Sequence, residues 1–185
     1  IIDTPHQELA SHTFSHYYPL ENQALPSQAF TADCLAFATI ANQWQQPVHS
    51  IVCPRNQWTE SALSTCRDFG MTVYRGTEDH FLYQARDDKR QNNRLIRALR
   101  LLDHYINLSG HHVHHLTKRD GLVNVPSSRF LRPWSSRLRF LEPLRKRRIK
   151  RAMTEAAKQG AVFHLWWHPH NFGVHTEKSL AFLTD

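Results

Sequence analysis

The feature that most constrains the fold is an alternation in the middle of the chain. Residues 48–53 (Val-His-Ser-Ile-Val-Cys) form a short run with β-branched members that breaks off at Pro54. Thr59 then stands where a helix N-cap belongs, ahead of a helical segment to about Phe69, and Gly70 supplies a C-terminal stop. Residues 71–74 make a second short strand-like run, closed by Arg75-Gly76. Strand, helix and strand in this order predict βα units, a parallel sheet and an α/β fold. The first strand runs into Pro54-Arg55-Asn56-Gln57, and a polar cluster at a strand end is where α/β proteins place chemistry.

The flanks extend the pattern. Residues 7–11 read as a short strand or extended lead-in. A helix is predicted over about 28–45, capped by Ser27 and stopped by Pro47, with Phe30, Cys34, Phe37 and Ile40-Ala41 on its buried face. A stronger helical pattern covers 91–106, with Leu95, Ala98, Leu99, Leu102 and Ile106 on one side. Residues 123–133 read as extended. A basic helix over 140–159 carries Arg145-Lys146-Arg147-Arg148-Ile149-Lys150-Arg151 and ends at Gly160. Residues 161–167 are a near-continuous apolar strand, suited to a sheet covered on both faces. It delivers His168 and His170, and a last helix starts near Thr176.

Size and composition set outer limits. The 185 residues fit one domain, 1–185, and 41% hydrophobic residues are too many for a disordered chain. There is no apolar run long enough to span a bilayer, so no integral membrane segment is expected. Cys34, Cys53 and Cys66 are widely spaced and read as buried free thiols, which favours a reducing, cytoplasmic compartment. The formal charge is +7. Its densest part, 145–151, reads either as a solvated helix face or as an electrostatic footprint for phosphate-bearing partners. It is not interleaved with aromatics and no nucleic-acid motif is present, so no nucleic-acid partner is expected.

Two histidine-rich stretches carry the candidate chemistry. In Ser11-His12-Thr13-Phe14-Ser15-His16-Tyr17-Tyr18 two imidazoles sit four residues apart, a spacing that puts both on one face of a helical turn. Two neutral imidazoles aimed at one point make half of a divalent metal site; the competing reading is a hydrogen-bonded turn pair. The second stretch is Trp166-Trp167-His168-Pro169-His170-Asn171-Phe172-Gly173, and the two are expected to meet around one metal ion. A third cluster, His111, His112, His114 and His115, reads as structural, because adjacent loop residues point different ways.

These segments, in this order, resemble the NodB-type polysaccharide deacetylases (carbohydrate esterase family 4-like). Residues 11–16 look like the family's His-(Ser/Thr)-x-x-His metal motif, Pro54-Arg55-Asn56-Gln57 like its Arg-bearing motif, and His168 like its final histidine motif. The resemblance implies a distorted, incomplete (β/α) barrel, with its first strands missing here. It implies metal-dependent removal of N-acetyl groups from amino sugars of a bacterial surface polysaccharide or its precursor, free or lipid-linked. His12 and His16 would hold the divalent metal, zinc in most of the family. His168, or His170, would protonate the leaving amine, and Arg55 would orient the basic carboxylate. Tyr17, Trp166, Trp167 and Asn171 would meet the sugar, with ordinary core packing as the competing role for the three aromatics. The family's Thr-Phe-Asp-Asp-Gly motif, which supplies that carboxylate and a third metal ligand, is absent. The chain also lacks an initiator Met, and the expectation is therefore the C-terminal portion of such a domain. A non-catalytic, deacetylase-like glycan-binding module is the alternative.

Overall fold

The computed structural model describes residues 4–21, 26–45, 47–84 and 93–184. In chain order its elements are α1 (Pro26–Gln43), β1 (Ser50–Ile51), α2 (Glu60–Asp68), β2 (Val73–Tyr74), α3 (Arg94–Asp103), β3 (Thr117–Arg119), β4 (Leu122–Asn124), β5 (Arg129–Phe130), α4 (Glu142–Gln159), β6 (Leu165–Trp166) and α5 (Thr176–Thr184). The architecture is mixed α/β with small sheets, and no closed barrel forms among the described residues. No described helix is long and apolar enough to cross a membrane. The residues cluster into two compact units. One holds the described residues up to Thr77 together with Leu116–Pro126, and the other holds Glu78–Gln84, the described residues from Asn93 to His115, and Ser127 onward.

In the first unit, β1, β2 and β4 run parallel and β3 closes the edge antiparallel to β4, in the order β1-β2-β4-β3. The strands are shorter than the apolar runs that announce them. Of residues 48–53 only Ser50 and Ile51 pair with β2, opposite Val73 and Tyr74. On the other side Ser11 bridges β1: its N–H donates to Ser50 O at 2.9 Å and its carbonyl accepts from Val52 N at 2.8 Å. The β3–β4 hairpin turns at Asp120-Gly121, both with positive φ (50° and 86°), as a two-residue hairpin turn requires. Gly76 follows β2 in close contact with Asn124: a Cβ there would lie 2.3 Å from Asn124 Oδ1, so that side chain would have to shift.

The helices follow their punctuation. Thr59 Oγ1 accepts from Ala62 N at 3.1 Å and caps α2, and Gly70 leaves the helix at φ 81°. α1 begins one residue before Ser27, which lies inside the first turn with its carbonyl accepting from the Thr31 hydroxyl. Phe30, Cys34 and Ala41 are buried, whereas Ile40 faces out. The three thiols enter one core with Phe30, Ile51, Leu63, Tyr74 and Leu122. Burial pushes the Cys53 thiol up to about 12, so it stays protonated and packs as a small apolar group.

In the second unit β5 and β6 pair in parallel, Arg129 opposite Leu165 and Phe130 opposite Trp166. Of residues 161–167 only these two form a strand, while Val162 makes an isolated bridge to His114. Leu131, Ile149 and Phe172 centre a second core. Gly160, at φ 58°, ends α4, and Ala161 N returns to Ala156 O at 2.9 Å. Two expectations are corrected here. The apolar stripe of α3 is not its buried face: Leu95, Leu102 and Ile106 are exposed, and the fully buried residue is Asp103. The basic face of α4 is only partly solvated, because Arg145 and Arg148 turn inward. Arg145 donates to Arg132 O and Glu142, and Arg148 to Gly110 O.

Candidate functional site

The residues singled out divide between the units. His12, His16, Tyr17 and Arg55 belong to the first; Trp166, Trp167, His168, His170 and Asn171 belong to the second.

The segment that carries His12 and His16 is a loop and not the helical turn their spacing suggests. Local side chains take its backbone donors away from a helix. Ser11 Oγ accepts from Thr13 N at 3.1 Å, and Thr13 Oγ1 accepts from Tyr17 N at 2.9 Å. The buried carboxylate of Asp33, on α1, accepts from Phe14 N at 2.7 Å, from Ser15 N at 2.8 Å and from the Ser15 hydroxyl at 2.5 Å. Held this way, Thr13 and His16 adopt left-handed φ values of 61° and 57°. A β-branched residue enters that region only when its surroundings enforce it.

The loop nevertheless delivers both imidazoles to one place, with ring centres 5.0 Å apart. Each ring is anchored through Nδ1. His12 Nδ1 lies 2.6 Å from Val52 O, an acceptor only, so Nδ1 carries the proton and Nε2 keeps its lone pair. His16 Nδ1 lies 2.8 Å from the Tyr18 hydroxyl. Partial desolvation lowers the pKa of His12, and neighbouring His16 and Arg75 lower it further, outweighing the Val52 bond. A neutral imidazole with Nδ1 occupied is the form that ligates a metal through Nε2. The ring separation is within the span of two imidazoles on one ion at Zn–N distances of about 2.0–2.1 Å. The pair therefore fits a divalent metal. Among the described residues no group of three or more His, Cys, Asp or Glu side chains converges to hold a metal ion.

Arg55 stands beside this loop. The Pro54–Asn56 turn follows β1, with Arg55 and Asn56 both left-handed at φ 53° and 54°. The Arg55 guanidinium covers the Tyr18 ring at 4.3 Å, and its Nη1 donates to Glu21 Oε1 at 2.9 Å. The buried Gln57 donates to the same oxygen at 3.1 Å and accepts from Leu20 N at 3.3 Å. Arg75, just after β2, grips Asn56 Oδ1 at 2.7 Å and 3.2 Å. The Arg55–Glu21 pair is about one-third exposed, and such a pair contributes only about 0–1 kcal/mol, so its effect is to fix geometry. His12, Arg55 and Arg75 all follow the C-terminal ends of parallel-paired backbone: the Ser11 bridge, β1 and β2. Tyr17 lies in the core with its ring 5.6 Å from Phe30, and the aromatic ring beside His16 is that of Tyr18.

The second unit presents its own aromatic-histidine cluster at the end of β6. His168 meets Trp166 edge to face at 5.4 Å and stacks on His170 at 5.2 Å, both imidazoles being exposed. Trp166 also packs on Phe130 at 4.7 Å. Trp167 is 38% exposed and stacked on Phe172. Asn171 donates its backbone N–H to His168 O, closing the turn Pro169–Phe172. The third histidine run goes to separate partners. His112 Nε2 is 2.6 Å from Ser109 Oγ, and His114 Nε2 is 3.2 Å from Ser127 O.

Sequence reasoning missed Asp33, Tyr18, Glu21 and Arg75. Asp33 carried a signal: an acidic residue between Phe30 and Phe37 on the buried face of α1. Comparison with known proteins yields no relative: no family model, curated protein or solved structure matches the chain.

Proposed function

We propose that this chain carries part of the machinery of a metal-dependent deacetylase, which hydrolyses N-acetyl groups on the amino sugars of a glycan or its precursor, on a distorted, incomplete (β/α) barrel. The observation that carries the reading is the His12–His16 pair, two outward imidazoles 5.0 Å apart, each anchored through Nδ1. Zinc held there would supply a Lewis acid for the acetyl carbonyl and would lower the pKa of a water. His12 and His16 would be its ligands from this chain. Val52 O and the Tyr18 hydroxyl fix the ring orientations, and Arg55 positions a carboxylate by a charge-assisted bond, as it does Glu21. The resemblance assigns the general acid, which would protonate the leaving amine, to His168 or His170. Exposed Trp167 offers a flat apolar face to a sugar ring.

Zinc titration by calorimetry tests the pair. One zinc should bind per chain, His12→Ala and His16→Ala should each abolish binding, and Tyr18→Phe should weaken it about tenfold. Acetate release from an N-acetylated amino-sugar oligomer, assayed on the full-length gene product, should require divalent metal. Wild-type release by His12→Ala would sink the proposal. Zinc and oligomer binding without release would favour the glycan-binding module.

A further inference from the structure

The second unit contains a cavity of about 520 Å³, within the size range of small-molecule sites. Its charged lining is Arg147, Arg148, Arg151 and Lys158 from α4, with His111 and a single carboxylate, Glu155. Arg147, Arg151 and Lys158 stand at i, i+4 and i+11 and share one face of the helix. Like charges at i and i+4 oppose a helix unless something offsets them. Glu155 does so only in part, since it also accepts from Gln159 Nε2 at 2.7 Å.

Arg148 gives a second, independent indication. It is 4% exposed, and its Nη2 donates to Gly110 O and lies 3.7 Å from Asp103 Oδ1. Asp103 is already committed to Arg129 at 2.6 Å, so two buried guanidiniums lean on one carboxylate. Nε and Nη1 of Arg148, like His111 Nδ1, are buried without a hydrogen-bond partner among the described residues. Burial of an under-compensated cation is costly, and an anion in the adjacent cavity would relieve it. Burial and neighbouring Arg129 bring the Arg148 guanidinium down to about 10, which leaves it charged at neutral pH.

We propose that this cavity binds the phosphate or diphosphate group of a phosphorylated ligand, with Arg147, Arg151 and Lys158 at its mouth and Arg148 behind its wall. Guanidinium forks match phosphate oxygens in geometry as well as charge. The site does not depend on the metal reading above.

Pyrophosphate binding to the full chain, measured by calorimetry at about 0.15 M salt to suppress diffuse attraction, tests it. Binding should weaken about tenfold or more in Arg147→Ala/Arg151→Ala. Both residues are exposed, so the fold should survive, which circular dichroism verifies. Arg137→Ala/Arg139→Ala removes the same charge from exposed positions outside the cavity and should leave binding unchanged. No pyrophosphate binding, or equal loss in the two double variants, would overturn the proposal. Phosphatidylglycerol vesicles that bind the chain and release it to pyrophosphate assign the phosphate to a lipid. Vesicles that leave the chain in solution while pyrophosphate binds assign it to a soluble ester. Both of these outcomes support the cavity.

Discussion

Two buried aspartates organise two loops by the same device and to different ends. Asp33 captures two successive backbone N–H groups, of Phe14 and Ser15, and the hydroxyl of Ser15. Asp103 captures the N–H groups of Leu108 and Ser109 at 2.9 Å and the hydroxyl of Ser109 at 2.6 Å. Asp103 goes further, accepting from the Tyr83 hydroxyl and from Arg129, each at 2.6 Å. Among the described residues the hydrogen-bond donors to Asp33 are all neutral. Burial alone would raise the Asp103 pKa; the Arg129 guanidinium and the Ser109 and Tyr83 hydroxyls outweigh it and hold the carboxyl well below the usual carboxylate range. The Asp33 loop holds His12 and His16 at the surface, whereas the Asp103 loop draws His112 inward through Ser109. A carboxylate closed by neutral donors shapes a rim that can meet a ligand. A carboxylate closed by guanidiniums makes a cornerstone.

The contrast can be broken by measurement. The largest effect should come from Asp103→Asn, which strands Arg129 and Arg148 without a counter-charge; urea denaturation should show a loss of about 3–5 kcal/mol. A loss under 1 kcal/mol would remove the cornerstone role. Acid comes next. Burial, reinforced by Arg129, brings His112 down from 6.5 to about 4 and His104 to about 3. The unfolded chain therefore binds protons first as the pH falls below about 6.5, and stability should drop progressively towards pH 4. His112 alone accounts for about 3 kcal/mol of that drop. Urea midpoints at several pH values read it, and His112→Gln should flatten the slope; an unchanged slope would exclude His112. The smallest effect should be that of Asp33→Asn, about 2 kcal/mol from weakened charge-assisted bonds, with zinc affinity down about tenfold as the loop loosens. If it destabilised as much as Asp103→Asn with zinc affinity intact, the rim would be structural.

Much of the helical frame was legible, because punctuation and period agreed: Thr59 and Gly70 bound α2, and Gly160 ends α4. Strand lengths were not, because an apolar run reports burial and not pairing; residues 48–53 share their ladder between Ser11 and β2. The β3–β4 hairpin carried an Asp-Gly signal, masked by its exposed, basic first strand. α3 misled because its apolar stripe is broad: the flank through Leu95 and Leu102 stays exposed, while the flank through Ile96 and Leu99 is half-buried and leads to the buried Asp103. The His12–His16 spacing pointed to proximity for the wrong reason: the rings meet because Asp33, nearly twenty residues on, folds the loop between them. A contact made across the chain leaves no trace in local spacing.

Ser11 gives both its backbone groups to β1, and the residue after it is His12. The imidazole loop is thus tethered to the sheet at one end and to α1 through Asp33 at the other. Its side chains surrender their freedom while the chain folds and not when something is captured. An ion reaching these nitrogens would meet them already aligned, so that little ordering entropy would be subtracted from its affinity.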